Sequence, residues 1–460
     1  MRKILVAGAS GFIGRALIKR LLQHEDIEII GLSRKAQESH HPRLSWRKCD
    51  LFSLKDISMA MEGCVEAYYL VHSMLPSASL SQGTFYDFDL IMADNFVRAG
   101  LKRGIRHIMY LGGMIPNSEE LSWHLKSRLE VEQVFRNSII PTTVLRAGLI
   151  IGPQGSSFTI IERLIEKLPF MICPAWTKTR SQPLALNDCI NVLENSLVRT
   201  DLRGKIYDIA GPEVMTYQEL IQKTANKIRK KPKIVTLNII PLIFSRWWIT
   251  FITGVPKNLV YPLVLSLKHE MLPSLGHKWP LQEDLQTGID EALGIALETP
   301  FMKTPPQKVY PPQKDVRSIQ RMVLPAGRDA QWVALTYFEW LPTFFSTLVK
   351  VSIVDNECTF YLFHPNIKIL ILKKSVERSS SDRQLLYVVG GILARDTERG
   401  RLEFREVLDR RYVMAALHEF RPALPWYIYR FSQAIVHIIV MKAFAEHLKW
   451  HVISQKRIVL

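Results

Sequence analysis

The run Val6-Ala7-Gly8-Ala9-Ser10-Gly11-Phe12-Ile13-Gly14 constrains this chain more than any other stretch. It follows a short apolar segment, Lys3 to Ala7, and opens a stretch, Gly14 to Leu22, in which Ala16, Leu17 and Leu21 recur at helical spacing. Three glycines at a strand-to-helix junction meet three needs: a tight turn, close approach of the backbone to a pyrophosphate, and close helix–strand packing. The helix start then offers amide groups and the positive end of its dipole to phosphates. The expectation is a dinucleotide cradle built by Gly8, Ser10, Gly11, Phe12, Ile13 and Gly14.

The end of the second strand selects the dinucleotide. A carboxylate there would hold the ribose 2′-hydroxyl of NAD, whereas cations suit the 2′-phosphate of NADP. The strand ends Gly31-Leu32-Ser33-Arg34-Lys35, with no acid, so Arg34 and Lys35 point to NADP, with NAD as the other option. Asp50 and Leu51 follow the third strand and are placed to meet the adenine; a helix cap is the alternative reading. Val71, His72 and Ser73 end the fourth strand, at the carboxyl edge where ligands of such sheets lie.

Residues 1 to about 150 continue this grammar. Ile27 to Leu32, Ala67 to Val71, His107 to Leu111 and Thr142 to Ile151 are apolar enough for strands buried on both faces, with helical spacing between them. That alternation predicts an α/β, doubly wound parallel sheet. Ile206 to Ile209 adds a strand, and Thr216-Tyr217-Gln218-Glu219 is a capping-box start for a helix through Ile228. The proline-studded stretch Thr304-Pro305-Pro306 to Tyr310-Pro311-Pro312 has linker composition. Beyond it, six short runs from Lys350 to Phe420 and one long apolar segment, Leu424 to Val452, predict an α+β module: an antiparallel sheet with a closing helix. The division is 1–299, a dinucleotide-binding domain with a small substrate lobe; 300–320, linker; and 321–460, the C-terminal domain.

Five scattered cysteines without C-x-x-C spacing argue against a disulfide framework and a zinc site, and predict a reducing, cytoplasmic setting with no metal. Met1-Arg2-Lys3 and its apolar run mimic a signal peptide, but the glycines break the run, so it reads as a first strand. The net charge of +17 is strongly basic. With no nucleic-acid module and no basic–aromatic stacking pattern, that charge points to phosphorylated ligands or the acidic inner face of a membrane, touched peripherally.

The Gly8-x-x-Gly11-x-x-Gly14 spacing, the Leu70-Val71-His72-Ser73-Met74 strand end, Leu145-Arg146-Ala147-Gly148-Leu149-Ile150-Ile151-Gly152 and Asp208-Ile209-Ala210-Gly211-Pro212-Glu213 resemble extended short-chain dehydrogenases/reductases. Within them the chain resembles the atypical subgroup containing the nucleotide-binding accessory subunit of respiratory complex I. It is more similar still to bacterial NAD(P)-binding proteins carrying an extra C-terminal domain of unknown function. The resemblance implies a Rossmann fold, and for the C-terminal domain a helix-grip fold enclosing an apolar cavity. Catalysis in the larger family uses a helix bearing Tyr-x-x-x-Lys and a serine on the preceding strand. The corresponding helix here, Ser122 to Glu130, aligns Ser127-Arg128 with the Ser-Lys step and puts His124 in the tyrosine place; Leu111-Gly112-Gly113 occupies the serine place. The one true match, Tyr310 to Lys314, is disqualified by Pro311 and Pro312.

His124 and Arg128 stand four residues apart, on one side of a helix. Histidine could replace tyrosine as acid or base, and Arg128 could hold the nicotinamide ribose; equally, both could line the cofactor site without chemistry. Arg180 is a candidate for an acidic substrate, and the aromatic stretch Ile239 to Val255, with Trp247-Trp248, for the wall of an apolar pocket. Two functions follow. One is an NADP(H)-dependent oxidoreductase acting on a small apolar, quinone- or isoprenoid-like substrate or lipid-like ligand. The other is a non-catalytic dinucleotide-binding redox sensor or assembly factor for a membrane complex.

Overall fold

The computed structural model describes residues 1–72, 80–118, 120–168, 170–237, 249–254, 257–298, 315–346, 348–395 and 398–458. Ser73, Trp247-Trp248 and the proline-rich segment 300–314 lie outside them. The chain forms two units, residues 1–75 with 89–307, and residues 76–88 with 308–460.

The first unit starts with strand β1 (Arg2–Ala7), helix α1 (Phe12–Leu21), strands β2 (Ile27–Ser33) and β3 (Leu44–Lys48), helix α2 (Leu54–Ala60) and strand β4 (Glu66–Tyr69). The short strand β5 (Leu80–Gln82) belongs to the second unit. Then come α3 (Phe85–Arg103), β6 (His107–Gly113), α4 (Trp123–Arg136), β7 (Thr142–Ala147), α5 (Ser156–Lys167), α6 (Leu186–Val198), the strand Ile206–Ile209 and α7 (Tyr217–Lys227). The sheet order is Ile206–Ile209, β7, β6, β4, β1, β2, β3, with all six pairings parallel.

Alternate side chains of the central strands feed two cores, as a sheet covered on both faces requires. Ile4, Val6, Ile29, Tyr68 and Met109 pack with Leu17 and Leu21 of α1 and Ile190, Leu193 and Leu197 of α6. Leu5, Ala7, Ile30, Ala67, Tyr69 and Ile108 pack with Ile57 of α2, Phe96 of α3 and Phe135 of α4. The strand read as Thr142 to Ile151 is broken at Gly148: β7 ends at Ala147, and Ile150–Ile151 pairs instead with Leu184–Ala185. The predicted capping box forms, with Thr216 and Glu219 each accepting from the other's backbone amide. A small lobe has its own core, in which Ile160, Leu164 and Ile165 of α5 and Ile221 and Ala225 of α7 meet Ile249, Val260 and Val264.

The second unit is an eight-stranded sheet, in the order Val349–Val354, Glu357–Leu362, Lys368–Lys374, Arg383–Gly390, Arg401–Val407, Tyr412–Phe420, Val316–Val323, β5. Its pairings are antiparallel except the last, where β5 lies parallel to Val316–Ser318. Three features differ from the sequence reading. Val316 to Val323 is strand, so the 300–320 linker reaches too far. Residues 76–88 are contributed from within the region read as the first domain. Finally, a second long helix, Ala330–Phe344, shares the core with the closing one. Its Ala330, Val333, Ala334, Tyr337, Phe338 and Leu341 repeat at three and four residues and are buried. Asp329 caps its start by accepting from the Trp332 amide. The closing segment is two helices, Trp426–Phe431 and Gln433–Ile458, and Phe444 of the latter meets Tyr337 edge-on, with ring centroids 5.0 Å apart.

Candidate functional site

The chain runs from β1 outward to β2 and β3, then returns to the other side of β1 with β4, so strand order reverses between β1 and β4. Ligands of doubly wound sheets bind beyond the strand carboxyl ends at such a point. The glycine turn lies there. Gly8 adopts φ +89°, and a β-carbon on it would come 2.9 Å from the Leu70 carbonyl oxygen. A β-carbon on Gly14 would stand 2.2 Å from the Gly8 oxygen, which no side chain tolerates. The Gly11 amide donates to the Gly8 carbonyl at 2.9 Å and closes the turn. No side chain caps α1 and no acid occupies its first turn, whereas Lys19 and Arg20 occupy its last. Ser10 and Gly11 are exposed. A dinucleotide diphosphate fits these residues: its charge would meet the positive helix end where the protein supplies no carboxylate.

Arg34 and Lys35 are exposed just past the end of β2, with the Lys35 amide donating to the Ser33 hydroxyl at 3.2 Å. Asp50 serves the local turn, its carboxylate accepting from the Phe52 amide at 3.1 Å, and Ser53 is the cap of α2. The Leu51 carbonyl accepts from Asn95 at 2.9 Å, a tie between the adenine-side loop and α3.

A cavity of about 350 Å³ opens from the carboxyl edge of this sheet. Ile13, Val71, His72, Gly112, Gly113, His124 and Arg128 wall one part of it. Residues of the small lobe, among them Ile160, Leu164, Trp176, Ile221, Ile249 and Met271, wall the rest. The lining is thus polar at His72, His124 and Arg128 and mostly apolar elsewhere, the composition of a small-molecule pocket. Of the apolar stretch Ile239 to Val255, Ile249 reaches this wall.

Helix α4 carries the polar part. Ser122 caps it by accepting from the Leu125 amide, which sets the phase that turns His124, Leu125 and Arg128 to the cavity. The Arg128 guanidinium donates to Asp89 Oδ2 at 2.8 Å, and His72 Nδ1 meets the same oxygen at 3.0 Å. A carboxylate held by arginine can only accept, so His72 carries its proton on Nδ1 and leaves Nε2 as an acceptor. His72 Nε2 and Arg128 Nε are buried without a hydrogen-bond partner among the described residues. Buried orphan polar atoms are rare and mark a place for a ligand or an ion. The His124 ring lies beside that of His72, with centroids 5.2 Å apart. Burial lowers the His124 pKa to about 4, so at neutral pH the ring is uncharged. Burial lowers Arg128 to about 10, and it stays a cation.

Asp89, which unites His72 and Arg128, is the residue that sequence reasoning missed. Its signal was present: an acid on the buried stripe of α3, in phase with Ala93 and Phe96, both fully buried. Arg180, read as a contact for acidic substrates, is instead held by Glu270 through two bonds of 2.7 and 3.1 Å at the surface. Among the described residues no group of three or more metal-ligating side chains occurs.

Fold and turn together define an NAD(P)-binding Rossmann unit, and comparison with known proteins narrows the class. Residues 4–122 match the NAD dependent epimerase/dehydratase family. The first unit resembles the atypical extended short-chain dehydrogenases/reductases.

Its relatives are distant. NADH dehydrogenase (ubiquinone) 1 alpha subcomplex subunit 9 of Arabidopsis thaliana is 21% identical over 241 residues, 50% of this chain and 59% of that one. The subunit of the same name from Dictyostelium discoideum is 23% identical over 222 residues, 47% of this chain and 61% of that one. The auxiliary protein GraX of Staphylococcus aureus is 27% identical over 121 residues, 26% of this chain and 39% of that one. The chain thus spans less than two thirds of the length of each of these curated relatives. Among solved structures, a nucleoside-diphosphate-sugar epimerase from Staphylococcus aureus superposes with a TM-score of 0.50 at 16% identity, over 64% of this chain and 99% of that one. Triphenylmethane reductase from Citrobacter sp. does so at 0.50 and 18%, over 65% and 100%. At such identities these two establish the fold.

Proposed function

We propose that this protein is an NADP(H)-dependent oxidoreductase whose substrate is a small, apolar, conjugated molecule of quinone-like character. One observation carries the reading: the cavity is continuous from the polar group His72, His124 and Arg128 into the apolar lobe. When bound, the nicotinamide supplies or accepts hydride at that junction. The chain's residues do the rest. The α1 turn would hold the diphosphate, Arg34 and Lys35 the 2′-phosphate, and Arg128, braced by Asp89, the nicotinamide ribose. Ile160, Leu164, Trp176 and Ile221 would orient the substrate and exclude water.

A conjugated substrate suits a junction whose histidine is held uncharged. Hydride addition to an isolated ketone builds charge on one oxygen and calls for a proton donor in the transition state. With a pKa of about 4, His124 is an imidazolium in roughly one molecule in a thousand at neutral pH. In this reading it serves at the junction as a neutral hydrogen-bonding group. A conjugated acceptor spreads its charge and can collect its proton later from solvent. Two relatives carry ubiquinone in their names, which supports a quinone-like member of that class.

The rival reading, a dinucleotide-binding redox sensor or assembly factor without turnover, draws on the same replacement of Tyr, Lys and Ser. Steady-state oxidation of NADPH separates the two. The expected result is turnover with a short-chain quinone, little with a simple ketone, and at least tenfold loss of kcat/KM in His124→Ala. Tight NADPH binding without turnover on any quinone, enone or ketone would leave the sensor reading standing.

A further inference from the structure

The closing helices present an apolar stripe that the sheet does not cover. Tyr427 and Phe431 are 69% and 74% exposed, and Ile428, Ile435, Val436 and Ile439 are each exposed by more than two fifths. Ile428 and Phe431 stand three residues apart on the first closing helix, and Ile435 and Ile439 four apart on the second, so each pair falls on one side of its own helix. The opposite side is fixed: Ala434, Val440, Met441, Phe444 and Leu448 are buried in the core of the second unit. The closing helices therefore carry apolar side chains on their outer as well as their inner sides, which helices whose only task is to close a sheet do not need.

Length and composition would let Trp426–Ser454 cross a membrane, with a mean hydropathy of 1.2. The packing opposes it. Crossing would pull Phe444 and Leu448 out of the core and bring Lys442, Glu446 and Lys449 into hydrocarbon. A helix pinned along one side and greasy along the other lies in an interface.

Charge selects the interface. From 420 to 445 the chain contains Arg421, Arg430 and Lys442 and not one acid, within a molecule of net charge +17. Tyr427 and Phe431 head the stripe, and aromatic rings are the side chains favoured at headgroup depth. The Arg430 guanidinium lies 5.7 Å from the Phe431 ring centroid, so cation and ring would enter together. We propose that the stripe Tyr427 to Ile439 docks this protein peripherally on an anionic lipid surface, with the apolar residues reaching the acyl boundary and Arg421, Arg430 and Lys442 meeting the headgroup phosphates. The inference does not depend on the oxidoreductase reading.

The test is cosedimentation of the full chain with vesicles of equal parts phosphatidylglycerol and phosphatidylcholine, against phosphatidylcholine alone. The protein is expected to pellet with the first, weakly with the second, and less as salt rises. Phe431→Glu with Ile435→Glu, both at exposed positions, should lower binding roughly tenfold or more. Phe431→Ser, which removes one ring and adds no charge, should give an intermediate loss with NADPH binding unchanged. Wild-type protein remaining in the supernatant, or the doubly substituted chain binding as wild type does, overturns the proposal. So does light scattering that finds a dimer dispersed by the double substitution, since the stripe would then cover a second copy.

Discussion

His124 and His107 show how one residue type answers to its surroundings. His107 is fully buried on β6, and its Nε2 lies 2.8 Å from the Thr143 hydroxyl. That hydroxyl donates to the Leu202 carbonyl, so the histidine must be the donor to Thr143, and its proton sits on Nε2. Burial lowers its pKa to about 3, as it lowers that of His124 to about 4. Both rings fold neutral, and the unfolded chain takes up their protons first. Their contribution to stability is therefore complete above the unperturbed value of 6.5 and lost as pH falls from there toward 4. For His124 the loss amounts to about 3 kcal/mol. Urea midpoints measured across this window should fall with pH, and His124→Gln should flatten the slope; an unchanged slope would mean that this ring is not buried uncharged.

At the scale of elements, the site is a brace between α3 and α4. Asp89 and Arg128 are a buried ion pair, 3% and 6% exposed. Such pairs contribute little net stability, but losing one partner strands the other charge in a low dielectric. Asp89→Ala should destabilise the first unit by about 3–5 kcal/mol, and Asp89→Ala with Arg128→Ala should recover a good part of it. Additive losses in that double-mutant cycle would contradict the pairing. Helix α4 was legible in the sequence because its signals are local: a serine cap and an i, i+4 pair. Asp89 was not, since what defines it is a partner thirty-nine residues away on another helix. The glycine turn was legible for the same reason as α4: its three glycines lie within seven residues, although the Leu70 carbonyl that crowds Gly8 comes from just beyond β4.

At the scale of the molecule, two units carry different parts of the account. The parallel sheet could be read from its buried runs, and the antiparallel series from its short alternating ones. The helix Ala330–Phe344 escaped notice because aromatic residues and Pro342 weaken its propensity; only burial against the second sheet explains it. Strand β5 escaped for a different reason. Its three residues gain their partner, Val316–Ser318, more than two hundred residues later, and Gln82 is fixed by donating to the Ala434 carbonyl at 3.0 Å. All of the proposed chemistry depends on the first unit holding a dinucleotide at the α1 turn. The direct measurement is calorimetric titration of NADPH and NADH into the full chain and into Gly11→Glu, which sets a carboxylate at the mouth of the turn. Saturable binding by the wild type, tighter for NADPH, and none by Gly11→Glu is the predicted result; no heat of binding with either nucleotide, or equal binding by the variant, would contradict the account.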